Sequence, residues 1–206
     1  TKGIIMGCAA LSKGRGIDCS RSLGGVKTVY LVNFEDVSGL TVVDRLVTEF
    51  SIANNNPHPY PHSEIYQFHL PRRGGSVVEV INADVNSPTK AVYYSQGLTI
   101  NLDKLDQCTQ VILKELGEAK LMAFVELNQL HTTGLLAGYN KVVLLGEKNG
   151  LRLNSGSGTS GDNWSAHNGY EWILTGEEKK PMPMMNPIEQ TEEYQFDEII
   201  DDCLRL

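Results

Sequence analysis

The stretch AVYYSQGLTINLDKLDQCTQVILKELG, residues 91–117, carries two periodicities in succession. AVYYSQGLTI is dense in β-branched and aromatic residues and reads as a strand. From Asn101 the repeat changes. Leu102, Leu105, Thr109, Ile112 and Leu116 fall on one face of a 3.6-residue period with Cys108 beside them, while Asp103, Asp106, Gln110 and Lys114 fall off it. The spacing predicts a helix with Asn101 as N-cap and Gly117 as the residue after its end.

Outward from that point the body reads as strands. VKTVYLVNF (26–34), IYQFHL (65–70), SVVEVINADV (76–85), KLMAFVEL (120–127) and GYEWILTG (169–176) have strand composition, several with alternation. VVDRLVTEFSIA (42–53) fits a strand or a short helix. KVVLLGEKNGLRLN (141–154) reads as two strand segments, with Asn149-Gly150 as a hairpin signal between them. PRRGG (71–75) reads as a turn, NQLHTTGLLAGYN (128–140) as a connection, and NSGSGTSGDNWSAHN (154–168) as a long polar loop. MPMMN (182–186) is a proline-interrupted exit. Many short strands and one helix predict a mainly β (α+β) sandwich or barrel with a flanking helix. The expected division is an N-terminal arm at 1–25, a β-barrel domain at 26–183 and an acidic extension at 184–206.

The net charge of −7 is unevenly distributed. Glu189, Glu192, Glu193, Asp197, Glu198, Asp201 and Asp202 stand against Arg205 alone, and everything before them sums to about −1. Lys2, Lys13, Arg15, Arg21 and Lys27 stand against Asp18 at the other end. The chain reads as a basic head, a near-neutral body and an acidic tail, an asymmetry that suits head-to-tail contact between copies. Within the tail, Phe196, Ile199, Ile200, Cys203 and Leu204 have helical spacing.

Chemistry-bearing patterns are sparse. Cys8, Cys19, Cys108 and Cys203 form no CxxC pair, which argues against zinc and thioredoxin-type sites and for reduced thiols in a soluble product of the cytosol. No apolar run is long enough to span a membrane. His58 and His62, with Glu64 and His69, form the one cluster with metal-ligand residue types. Pro57, Pro59 and Pro61 forbid the helix that would put both imidazoles on one face, so this loop is read as a contact surface instead. SGSGTSG lacks the Lys-Ser/Thr of a phosphate loop, and no nucleophile sits in a G-x-S-x-G elbow. No catalytic, cofactor or metal residue is therefore assigned. Contacts between subunits are assigned to Arg15 and Arg21 of the head, His58 and His62 of the proline loop, Arg72 and Arg73 of the turn, Trp164 of the polar loop and Phe196 of the tail. A large ring in a polar loop is costly unless something covers it.

The order of segments resembles that of bacteriophage tail tube proteins. GRGIDCSRSLGGVKTVYLVNF (14–34) is similar to the arm that runs through Gly-Gly into a first barrel strand. AVYYSQGLTINLDKLDQCTQVILKEL (91–116) looks like the family's strand-then-helix unit. VVLLGEKNGLRLNSGSGTSGDNWSAHNGYEWILTGEEKKPMP (142–183) looks like its closing strands. The resemblance covers roughly residues 14–183 and rests on order and pattern. It implies a sandwich protomer that forms rings, typically of six copies, whose sheets close into one barrel around a channel. Rings would stack into a tube through which genomic DNA leaves without sequence-specific binding. The arm 1–25, the loop 154–168 or the loop 54–64 would engage the next ring, and the basic arm and acidic tail would be complementary between rings. GYEWILTG would be the last barrel strand, its edge against a neighbouring copy. The implied location is the virion tail, assembled in the host cytoplasm beside other tail or neck proteins. The acidic extension and the long apolar connection depart from the family pattern and leave room for a neck, tail-completion or short-tail ring protein. The rival reading is a monomeric carbohydrate-binding sandwich using Tyr60, Tyr66, Tyr139 and Trp164; a hydrolase built on His62 or His167 has no supporting geometry.

Overall fold

The chain crosses between two β-sheets four times. The computed structural model describes residues 24–52, 65–71, 74–83, 91–131, 138–163 and 166–185. Strands β1 (Val26–Asn33), β2 (Val37–Val43), β3 (Leu46–Ile52) and β4 (Ile65–His69) belong to a seven-stranded sheet of order β2-β3-β11-β8-β7-β1-β4. Its other members are β7 (Leu121–Leu130), β8 (Asn140–Leu145) and β11 (Met184–Met185). Strands β5 (Gly75–Ala83), β6 (Val92–Asp103), β9 (Arg152–Thr159) and β10 (Gly169–Glu178) make a four-stranded sheet of order β5-β6-β10-β9. Among the described residues there is one α-helix, α1 (Gln107–Glu118), so the mainly β architecture with a single helix is as expected.

The main core lies between the sheets. Val29, Leu31, Ala123, Val125, Val143 and Leu145 meet Leu98, Ile100, Trp172 and Leu174, all essentially inaccessible to water. Trp172 is met edge-on by Phe68, with ring centroids 5.6 Å apart. Burying such a ring contributes a few kcal/mol, roughly 25 cal/mol per Å² of apolar area. A second core forms on the other face of the larger sheet, from Val32, Met122, Phe124 and Leu144 with Val47 and Met185. Phe50 of β3 stands edge-on to Phe124 of β7 at 4.5 Å. In a flat sheet these strands, three apart, would be separated by about 14 Å. The sheet must therefore curl its β2–β3 end over its own outer face.

Several local readings are corrected by sheet pairing. Asn101 is not a helix cap. It lies in β6 opposite Glu171, because β6 hydrogen-bonds to both β5 and β10 and keeps its extended form through Asp103. Lys104, at φ 72, turns the chain, and the helix is capped by Asp106, whose carboxylate accepts from the Thr109 amide at 2.6 Å and hydroxyl at 2.8 Å. Gly117 lies inside the last turn, and Leu105 is largely exposed while Leu116 enters the main core. The ambiguous 42–53 segment is a hairpin, β2–β3, turned by Asp44 and Arg45 at φ 49 and 64. Asn149-Gly150 closes no hairpin; it is a corner, since β8 and β9 lie in different sheets. PRRGG is a turn as expected, Gly74 N donating to the Pro71 carbonyl at 2.7 Å, and it carries the chain from one sheet to the other. The 128–140 connection is shorter than expected, with Leu130 already paired to Asn140.

The polar loop begins as strand. Asn154 to Thr159 belong to β9, which pairs along β10. Its glycines face inward over aromatic rings: a Cβ on Gly158 would sit 3.1 Å from the Tyr170 ring, and one on Gly156 would meet Trp172 at 3.7 Å. GYEWILTG forms β10 but is neither the last strand nor an edge. It lies between β6 and β9, and Met184–Met185 follow as β11.

Candidate assembly surface and channel face

Every position assigned from sequence to subunit contact lies outside the described residues: Arg15, Arg21, His58, His62, Arg72, Arg73, Trp164 and Phe196. What the structure does define is a surface that the sequence reading missed, the outer face of the four-stranded sheet.

That face follows from alternation. Gln96, Leu98, Ile100, Trp172 and Leu174 point into the sandwich, so their neighbours along each strand point away. Register then places Ser76, Thr99, Ile173 and Ser155 in one row across the sheet. Val78, Gly97, Thr175 and Arg152 form the next. Glu171 and Glu177 also face outward, and β5, β6, β9 and β10 contain no lysine and only Arg152 among basic residues. The face is a lawn of small, mostly uncharged side chains with a slight acidic excess.

Its two edges are open. β5 is 9 residues long and β9 is 8, and neither has a partner on its outer side among the described residues. Edge strands usually carry charge, proline or irregularity that blocks pairing. β9 has no charge after Arg152 and no proline, and β5 exposes Val78 and Val80, each about half accessible. The edges of the larger sheet are blunter: β4 is 5 residues long, and β2 carries two register breaks. Ile81, level with the last residue of β10, and Val92, past it, are exposed at 65% and 50%.

A polar staple joins the inner side of this sheet, near the end of β10, to the larger sheet. Arg45 reaches Glu147 at 2.7 Å and also donates to the Pro181 carbonyl. Glu79 accepts from the Met182 amide at 2.6 Å, and buried Glu178 accepts from the Lys148 and Asn149 amides at 2.9 and 2.7 Å. Buried Gln96 accepts from Gly146 N at 2.9 Å. These bonds fix Pro181–Met185, so β11 can bridge β3 and β8. Elsewhere Glu126 takes Lys27 at 2.8 Å and also Asn140. Burial pushes the Glu126 carboxyl up, but hydrogen bonds from Lys27 and Asn140 and the Lys27 charge outweigh it and hold it below its ordinary value. His131 is held low, by burial first and then by the charge of Lys141.

None of this is a catalytic constellation. Among the described residues no group of three or more His, Cys, Asp or Glu is placed to hold a metal, and His58, His62 and Glu64 lie outside them. No helix among them is long and apolar enough to cross a membrane. Tyr66 packs partly buried against the main core and Tyr139 is exposed on the β7–β8 connection, while Tyr60 and Trp164 lie outside the described residues. The body is also more acidic than the near-neutral reading: residues 28–188 carry 12 basic against 17 acidic side chains. No family model, curated protein or solved structure matches the chain.

Proposed function

We propose that this chain is a structural protein of a bacteriophage tail, a protomer whose four-stranded sheet joins those of neighbouring copies to line the channel of a ring, with rings stacking into a tube. The observation that carries the reading is one sheet combining two unblocked edges of matching length with an outer face nearly free of positive charge. Pairing β5 of one copy with β9 of the next removes both edges at once, and repetition closes the sheets into a barrel. A wall that offers phosphates almost no lysine or arginine gives passing DNA little to bind, since each such contact strengthens retention. The resemblance in segment order supports the same reading and suggests six copies.

Contact between rings is assigned to the exposed Ile81 and Val92 at one end of β5 and β6, rather than to 154–168, whose first six residues are strand. The test is negative-stain electron microscopy beside light-scattering mass over a range of protein concentrations. Rings or tubes with a central hole support the proposal, and copy number with stacking separates a tube protein from a neck, completion or short-tail ring. A chain that stays monomeric at every concentration, also in the presence of a tail initiator complex, ends it.

A further inference from the structure

The two open edges of the four-stranded sheet are offset along the strands. Glu79, the middle residue of β5, is level with Gln96 of β6 and Gly176 of β10. Gly156, near the middle of β9, is level with Trp172 of β10, four residues back from Gly176. The sheet is therefore a parallelogram, and copies set side by side without a shift would overlap their edges only in part.

Strand direction and hydrogen bonding fix how two such edges meet. Every pairing inside the sheet is antiparallel, so β5 and β9 run in opposite directions. A copy related by rotation about a ring axis thus brings its β9 antiparallel to β5, and no parallel joint interrupts the barrel. Asn101 N donates to the Gly74 carbonyl at 2.6 Å, across the side of β5 that faces β6. A residue of an antiparallel strand aims its N–H and C=O to one side, alternating along the chain. Ser76, Val78 and Val80 therefore bond to β6, while Val77, Glu79 and Ile81 face the open edge. Carried across β6 and β10, the same alternation leaves Gly156 and Gly158 facing the open edge of β9.

We propose that β5 of one copy pairs antiparallel with β9 of the next in the register that sets Val77 opposite Gly158 and Glu79 opposite Gly156. The pairing runs from Ser76 opposite Thr159 to Val80 opposite Ser155, and Ile81–Ala83 then lie alongside the bulged segment Arg152–Asn154. It uses β9 from end to end and brings Ser157 and Ser155 beside the exposed Val78 and Val80. Successive copies are displaced by the same four residues, about 14 Å, for each sheet width of about 19 Å. That ratio tilts the strands by about 35° from the ring axis, within the roughly 35–45° that closed barrels need. A ring of six then has a backbone diameter of about 45 Å, and one copy more or fewer changes it by about 7 Å.

This register rests on the ring reading above, and disulfide capture in assembled protein separates the two. Val78 and Ser157 would face each other in a pair without hydrogen bonds, about 4.5 Å between Cα atoms and within reach of a disulfide. Within one chain β5 and β9 are three strands apart, about 14 Å, so any link between them joins two copies. Val78→Cys with Ser157→Cys is oxidised beside two controls, Ser76→Cys with Ser157→Cys and Val80→Cys with Ser157→Cys, each two residues out of register. Linked peptides are identified by mass spectrometry and the rings are imaged by electron microscopy. The expected result is a 78–157 link several-fold above either control, in rings of the diameter given for their copy number. Rings in which an out-of-register pair links best, position 78 links to position 78, or no pair links, overturn the register and leave the ring reading standing. A chain that forms no ring ends both.

Discussion

Replacing Arg45 by Ala tests the staple that fixes the segment Pro181–Met185. Arg45 lies at the tip of the β2–β3 hairpin, its guanidinium 2.7 Å from Glu147 and also donating to the Pro181 carbonyl. The Glu147 side chain is only 6% exposed, whereas that of Arg45 is 28% exposed. Removing one partner of a fully buried pair costs about 3–5 kcal/mol, and partial exposure of the arginine lowers that to about 2. Loss of the bond to Pro181 adds about 1 kcal/mol. The backbone contributes little to the difference, because Ala and Arg both carry a Cβ into the φ 64 conformation. The sum is about 3 kcal/mol, or about 6–12 °C in Tm for a domain of this size. Urea unfolding of Arg45→Ala should show this loss, and hydrogen exchange should localise it to β2, β3 and β11. Adding Glu147→Gln should return roughly half of it, since the stranded charge is removed. A single-variant loss below about 0.5 kcal/mol, or a double variant weaker than the single, would refute the view that a buried ion pair holds this end.

Three further outcomes are expected. Val78→Lys with Val80→Asp should leave the monomer's circular dichroism unchanged but abolish rings in sedimentation velocity; intact rings would exclude β5 as a pairing edge. Gly176→Ala places a Cβ 2.5 Å from the Gly150 carbonyl oxygen and 2.9 Å from Leu151 Cδ2, backbone and core atoms that cannot both yield. It should destabilise by about 1–3 kcal/mol in denaturant titration, and a neutral result would contradict that packing. The third concerns pH. The His131 pKa is depressed below its ordinary 6.5, so the folded state favours the neutral ring and its contribution is lost as pH falls through 6.5. The Glu126 carboxyl is also depressed, from 4.5, so its contribution is present above 4.5 and lost as pH falls further. Stability should thus decline in two steps on acidification, and His131→Gln should remove the upper one.

The mainly β class was legible because its signals are local. The alternation in IYQFHL and SVVEVINADV and the composition of VKTVYLVNF and AVYYSQGLTI name strands wherever they lie. The helix was legible from its period, but its start was not. Leu102 continues the helical repeat, yet pairing on both sides of β6 holds residues 101–103 extended, and no local pattern records a partner strand distant in sequence. The same limit hid β9, where Ser and Gly give a loop's composition while each inward glycine answers a ring on β10 that only the fold puts there. It also turned Asn149-Gly150 from a hairpin into a corner between sheets. The sequence alone determined the strand-rich composition, the helical repeat of 102–116 and the charge of the two ends. Tertiary structure decided which strands are edges and which face is nearly free of positive charge. Those properties depend on pairing between residues far apart in the chain, and strand propensity carries no record of its partner.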